Sequence, residues 1–312
     1  MKKLSREEEK NLTGEEYQEY YYYLRNLFEN SKIANLSLDT RKKIYPILIT
    51  LIRIRNRLSG YHLQVIGDDR TETTRPKIYA VTHIGKADIE VVSEAIRQHY
   101  YLLCGDFESL HDTVDGLFLG LNGVLYFNEK NKEDRHNVKR RMQEVLQMGG
   151  NILYFPEGTW NLSPNLPVNP FYYGIIETAL ISDAIIVPIG IEQYDKQFIV
   201  KIGKNFDVKK YIDLSTTQLH DAKVRAIREL RDQMASLKWE IWETVPPLIR
   251  AGLPDNYYDQ FVQDKIGEWP TLTLKDFTNA IYKDKNAISP EEVFEPIKNL
   301  SYKKETAFLF KK

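Results

Sequence analysis

The chain has 312 residues, 42% hydrophobic and 28% charged, with a formal net charge of −1. That is enough sequence for one large domain with additions or for two smaller ones. The ordinary composition marks a globular protein, and the near-neutral charge argues against a nucleic-acid partner. A single cysteine, Cys104, excludes an internal disulfide and fits a reducing compartment.

The N-terminus, with Lys2, Lys3, Arg6 and then Glu7 to Glu9, lacks the apolar core of a signal peptide. No apolar run approaches the ~20 residues needed to span a bilayer, so a cytoplasmic protein is expected, peripheral on the inner face of the cell membrane at most. Residues 1–60 read as helical and carry twelve Lys and Arg against eight Asp and Glu, a local charge of +4. Tyr17 and Tyr20 to Tyr23 suit an amphipathic helical surface. Within residues 40–58, Ile44, Ile47, Leu48, Ile49, Leu51, Ile52 and Ile54 form a dense apolar stretch between Arg41, Lys42, Lys43 and Arg53, Arg55, Arg57. Pro46 should start the helix there rather than lie inside it. Two readings stand for this stretch: a helix lying in an anionic headgroup layer, or a helix packed on the domain with a basic rim.

From residue 61 strands and helices alternate. Strands are expected at 63–66, 77–82, 101–104, 123–127, 151–155, 184–191 (broken by Pro188) and 198–202. Helices are expected at 88–100, 109–119, 133–148 with Gly149-Gly150 as cap, 173–182 and 216–242, the last stopped by Pro246-Pro247. The alternation indicates an α/β fold with a mainly parallel sheet flanked by helices. Three regions follow: a helical part at 1–60, an α/β domain at 61–247 and a helical C-terminal appendage at 248–312. Cys104, in an apolar strand, reads as an inert buried thiol.

Two stretches carry chemistry. His83 lies at the exit of the 77–82 strand, Gly85 breaks the pattern, and Asp88 opens a helix whose Ile89, Val92, Ala95 and Ile96 share a face. A helix N-terminus favours the carboxylate. An Asp that holds a His in one tautomer makes it a better general base. The spacing is compatible with metal ligation, but no third His or Cys stands nearby. The second stretch, Phe155-Pro156-Glu157-Gly158-Thr159-Trp160, puts an acid at a strand exit, where α/β sheets place their ligand sites. Singly, each has an ordinary structural reading: a hydrogen-bonded His and a Pro-Glu-Gly turn.

Together they resemble the glycerol-phosphate and lysophospholipid acyltransferase family. His83 and Asp88, four residues between them, match its first signature; Gly123-Val-Leu-Tyr-Phe127 is similar to its second; Phe155 to Thr159 match its third; Val187-Pro188-Ile189 looks like its fourth. Order and spacing agree over about residues 60–245. The departures are Thr82 for an Asn before the His, Glu129 for an Arg past the second signature (Lys130 following), Trp160 for an Arg after the third, and Tyr172 and Tyr173 where a Lys often follows. An anionic acceptor needs cationic partners. Either Lys86, Lys130, Lys132 and Arg135 rebuild the clamp, or the acceptor is neutral and meets Trp160, Asn161, Tyr172 and Tyr173.

The resemblance implies an O-acyltransferase that moves an acyl group from a thioester of coenzyme A or acyl carrier protein to a hydroxyl of a lysophospholipid or glycerolipid-like acceptor. His83 would be the base and Asp88 its orienter; Gly123, Lys130, Glu157, Gly158, Thr159 and Trp160 would contact substrate. No metal and no cofactor beyond the thioester co-substrate are implied, and Cys104 has no role. Acylation of a sugar or cell-envelope intermediate is the alternative acceptor chemistry, and a non-catalytic lipid-binding module of the same fold is the alternative to an enzyme.

Overall fold

The computed structural model describes residues 2–129, 131–162, 166–212, 219–244, 254 and 256–268. The expected stop at Pro246-Pro247 and most of the expected appendage, 248–312, lie outside them. In chain order the elements are α1 (Arg6–Lys10), α2 (Gly14–Glu29), α3 (Leu38–Leu58), β1 (His62–Asp68), β2 (Lys77–Val81), α4 (Asp88–Ile96), β3 (Tyr101–Cys104), α5 (Val114–Asn122), β4 (Val124–Tyr126), α6 (Lys132–Gln147), β5 (Ile152–Tyr154), α7 (Gly174–Ile181), β6 (Ile185–Tyr194), β7 (Gln197–Ile202), α8 (Leu219–Thr244) and α9 (Tyr257–Glu268). They fall into two compact units, one built from residues 1–51 and 98–153, the other from 52–97 and 154 onward.

In the first unit β3 pairs in parallel with both β4 and β5, Leu102 opposite Val124 and Tyr101 opposite Ile152. Thr113 caps α5, its hydroxyl accepting from the Gly116 N–H, and Asn131 caps α6 through the Asp134 N–H. In the second unit β2 runs parallel to β6, Ile78 opposite Ile186, and β1 runs parallel to β7. β6 and β7 pair antiparallel as a hairpin, Tyr194 opposite Gln197. The α/β fold with a mainly parallel sheet is therefore as the alternation indicated. Every residue of β2 is buried, as is β6 through Ile191, which is why both read as unbroken apolar runs. Leu230, Met234 and Ile241 of α8 are fully buried, and Gly190 of β6 lies against Leu237 and Ile241.

Both prolines expected to interrupt elements sit inside them. Pro46 lies within α3, which begins eight residues earlier at Leu38. Both Pro46 and Lys42, whose carbonyl loses its helical donor, are exposed to water, so the missing bond is replaced by solvent. Pro188 lies inside β6, opposite Ala80 of β2. The β6–β7 ladder starts one residue later, and the Pro188 carbonyl still accepts from the Gly203 N–H at 2.9 Å. Helix α4 ends at Ile96 rather than residue 100 because Arg97 turns left-handed at φ 56°.

One buried cation anchors the first unit. Arg41, 1% exposed, donates through its guanidinium to the carbonyls of Ile33, Ala34, Leu36, Gly120 and Leu121, at 2.6–3.1 Å. It satisfies the C-terminal carbonyls of α5 and the turn before α3 together, a task suited to a planar five-donor group. Arg41→Met should leave those carbonyls without a donor and lower unfolding free energy by roughly 3–5 kcal/mol, read as a lower urea midpoint.

Candidate active site

The site grows from the end of β2. Thr82 continues the strand: its N–H donates to the Ile189 carbonyl at 3.1 Å, and its hydroxyl accepts from the Ile191 N–H at 3.0 Å. The next residue, His83, leaves the sheet and the chain turns sharply. Asp88, fully buried, closes the turn. Its Oδ2 lies 2.9 Å from His83 Nδ1 and accepts the N–H groups of Ile84 (2.6 Å) and Gly85 (3.0 Å). One carboxylate oxygen thus gathers three donors, which sets the imidazole with its proton on Nδ1 and leaves Nε2 as the basic nitrogen.

The ring is held on two further sides. Phe155 stacks on it at 3.9 Å between centroids with planes 19° apart, and Trp160 meets it edge-on at 6.0 Å and 87°. Its backbone is held too: the His83 carbonyl accepts from the Asn161 N–H at 2.6 Å. The His83 side chain is 16% exposed.

Glu157 lies behind His83. It is 3% exposed; Oε1 accepts the His83 N–H at 2.9 Å and Oε2 the Asn169 N–H at 2.7 Å. Burial pushes its carboxyl up to about 8, against the pull of those two N–H groups and of the Lys238 ammonium; the Asp88 charge pushes it further up. Lys238, 3% exposed, is tied to Glu192 at 2.6 Å and to the Ile191 carbonyl at 2.7 Å. Gly158 follows at φ 69°. A methyl group there would lie 2.4 Å from the Tyr172 ring, so the turn admits only glycine. Thr159 is half-buried, and Trp160, 4% exposed, packs with Leu162 and Val262.

The structure thus brings His83, Asp88, Glu157, Gly158, Thr159 and Trp160 into the second unit. Gly123 belongs to the first, where it ends α5 at φ 114° and leaves room for the Tyr101 ring. Lys130 lies outside the described residues. Sequence reading missed Asn169, which acts through its main-chain N–H and so carries no side-chain signal. It also missed Phe155 as the stacking partner of His83, although Phe155 stands in the recognised motif.

Residues 62–192, which contain both motifs, match the family model described as Acyltransferase. Over these residues the chain is similar to that family. Among solved structures it is similar to the 1-acyl-sn-glycerophosphate (LPA) acyltransferase PlsC from Thermotoga maritima. The likeness has a TM-score of 0.49 and 15% sequence identity over 70% of this chain and 88% of that one. No curated protein matches it.

The raised Glu157 carboxyl has a consequence for stability. An ordinary carboxyl in the unfolded chain titrates near ~4.3. Folding therefore takes up a proton at Glu157 between that range and about 8. Stability at this site is full below the lower value, falls as pH rises and levels off above the upper one. Glu157→Gln cannot titrate, so its Tm should decline less than wild type between pH 5 and pH 8.5 when both are followed by calorimetry.

Proposed function

We propose that the protein transfers an acyl group from a thioester, on coenzyme A or acyl carrier protein, to a hydroxyl of a lysophospholipid or glycerolipid-like acceptor, with His83 as general base. The observation that carries this reading is the 2.9 Å contact between His83 Nδ1 and an Asp88 oxygen that also accepts two main-chain N–H groups. His83 Nε2 takes the proton of the acceptor hydroxyl as its oxygen attacks the thioester carbonyl carbon. The tetrahedral intermediate collapses with loss of the thiolate, and the imidazolium returns the proton to sulfur. The new ester and a free thiol result, with no covalent enzyme intermediate. Asp88 keeps the Nδ1–H tautomer and stabilises the imidazolium.

Glu157, with both oxygens committed to main-chain N–H groups, supports the turn from behind. Gly158 and Thr159 offer the accessible surface of that motif to substrate, and Trp160 forms a wall beside His83. Cys104 stays outside the scheme: it is half-buried rather than buried, and desolvation still pushes its thiol up to about 12, so it is a poor nucleophile.

The acceptor's location at a membrane fits α3. Ile47, Leu51, Ile54 and Leu58 are 63%, 44%, 51% and 84% exposed and recur at helical spacing, so they form one outward stripe. Lys43 and Arg57 flank it in solvent. Of the remaining basic rim, Arg41 is buried, and Arg53 and Arg55, partly in solvent, pair with Glu94 and Glu90 at 3.7 and 3.1 Å. No helix of the described residues is long and apolar enough to cross a membrane. An interfacial helix on the inner face of the cell membrane is the corresponding proposal.

His83→Ala should lower kcat by about 10²–10⁴ while the protein keeps its thermal transition. Asp88→Asn should also lower kcat. A folded His83→Ala enzyme with wild-type turnover would sink the assignment. For the membrane, Ile47→Glu and Leu51→Glu should reduce co-sedimentation with anionic vesicles severalfold. Leu48→Glu is a poor probe, because Leu48 is buried and its loss would unfold the helix. Unchanged binding of the two exposed variants would remove α3 as the contact.

A further inference from the structure

We propose that Lys265, on α9, is the cation that receives a phosphate group of the substrate, delivered to the catalytic turn by a helix outside the family domain. The proposal rests on the acyl-transfer reading and adds to it a residue and a ligand chemistry. Helix α9 lies well beyond residues 62–192 that match the family model. It is seated on the wall of the site: Val262 shares a buried cluster with Trp160 and Leu162, with Phe261 and Ile266 packed around it. Trp160 in turn meets the His83 ring edge-on.

Lys265 extends from this helix to the turn itself. It is 5% exposed, and a methyl group added at Gly85 would lie 2.7 Å from its Nζ, 3.0 Å from Cε and 3.3 Å from Cδ. The absence of a side chain at Gly85 is therefore what lets the ammonium reach the loop between His83 and Asp88. The same Gly85 donates its N–H to Asp88.

Among the described residues the charge of Lys265 is incompletely matched. Nζ has Glu268 as its hydrogen-bonding partner, at 3.2 and 3.5 Å from the two oxygens, and stands 5.3 Å from the Phe261 ring centroid. An ammonium has three donors, and one carboxylate of the same helix does not occupy them at full strength. The Glu268 side chain is 38% exposed, so it can turn to water at little cost. Lys238, a buried ammonium that acts on Glu157, is by contrast fixed by Glu192 and a main-chain carbonyl. Lys265 is thus a desolvated cation beside Gly85, in the loop between His83 and Asp88, and its present anion is replaceable. A phosphate fits that role, and both substrates can supply one: the phosphopantetheine carrier on the donor side, the headgroup on the acceptor side.

Calorimetric binding to the full chain tests this with four probes in two pairs: coenzyme A against pantetheine, and a short-chain 1-acylglycerol 3-phosphate against the matching 1-acylglycerol. Lys265→Met should weaken one phosphate-bearing probe by about 10- to 100-fold and leave its phosphate-free partner within about twofold. The pair that responds identifies the donor or the acceptor as the source. Glu268→Gln, which removes the competing anion, should tighten the same probe, a change that a packing role would not produce. It also carries the test if Lys265→Met does not fold. Equal changes within each pair, no change at all, or weaker phosphate binding by Glu268→Gln would overturn the inference. A separate turnover assay keeps the readings apart: phosphate-selective binding without acyl transfer would reject the proposed reaction and leave the Lys265 site standing.

Discussion

The site depends on one oxygen atom. Asp88 Oδ2 accepts from the His83 ring and from the N–H groups of Ile84 and Gly85, and these three contacts close the turn between β2 and α4. In a buried, low-dielectric setting each such bond is stronger than in water, and its loss would leave a desolvated donor. The turn and the orientation of the His83 ring are therefore the same interaction: a backbone that opened would release the ring, and a ring that moved would expose a buried carboxylate. Glu157 adds a further hold by accepting the His83 N–H, so His83 is tied to two carboxyl groups.

Two buried acids so close to one another cannot both ionise without opposition. That is one of the reasons the Glu157 carboxyl is pushed up to about 8, burial being the larger. Lys238 offsets part of it from α8. The scaffold beneath is correspondingly rigid: β2 is buried throughout, is paired in parallel with β6, and is prolonged by Thr82, which hydrogen-bonds to Ile189 and Ile191. The Thr82 hydroxyl is engaged by the Ile191 main chain of the neighbouring strand.

Much of the fold was legible because burial leaves a period. Strands buried on both faces read as short apolar runs, and helices packed on one side read at a 3.6-residue spacing, so the α/β alternation was visible from residue 61 onward. Prolines were misread because their cost depends on the side they face. Pro46 lies on an exposed face of α3, and Pro188 sits where the β7 ladder has not begun, so both are accommodated. The apolar stretch of α3 was equally opaque: a residue count does not say that Tyr45, Leu48 and Ile49 turn inward while Ile47, Leu51, Ile54 and Leu58 face solvent. Only packing separates the two faces of a helix that is apolar on both.

By itself the sequence determined that His83 and Asp88 would meet at one turn. His83 and Asp88 lie five positions apart across a strand–turn–helix junction, and such local geometry is set by backbone rules that need no distant contact. Tertiary structure decided the rest. Glu157 became a buried support instead of a surface acid because the fold aims two main-chain N–H groups at it, and main-chain donors are invisible in a sequence. Trp160 became a wall of the site because Val262, about a hundred positions later, packs against it. Lys265 reached Gly85 across an even longer separation. Contacts of that range arise from burying apolar surface between distant segments, and no spacing along the chain encodes them.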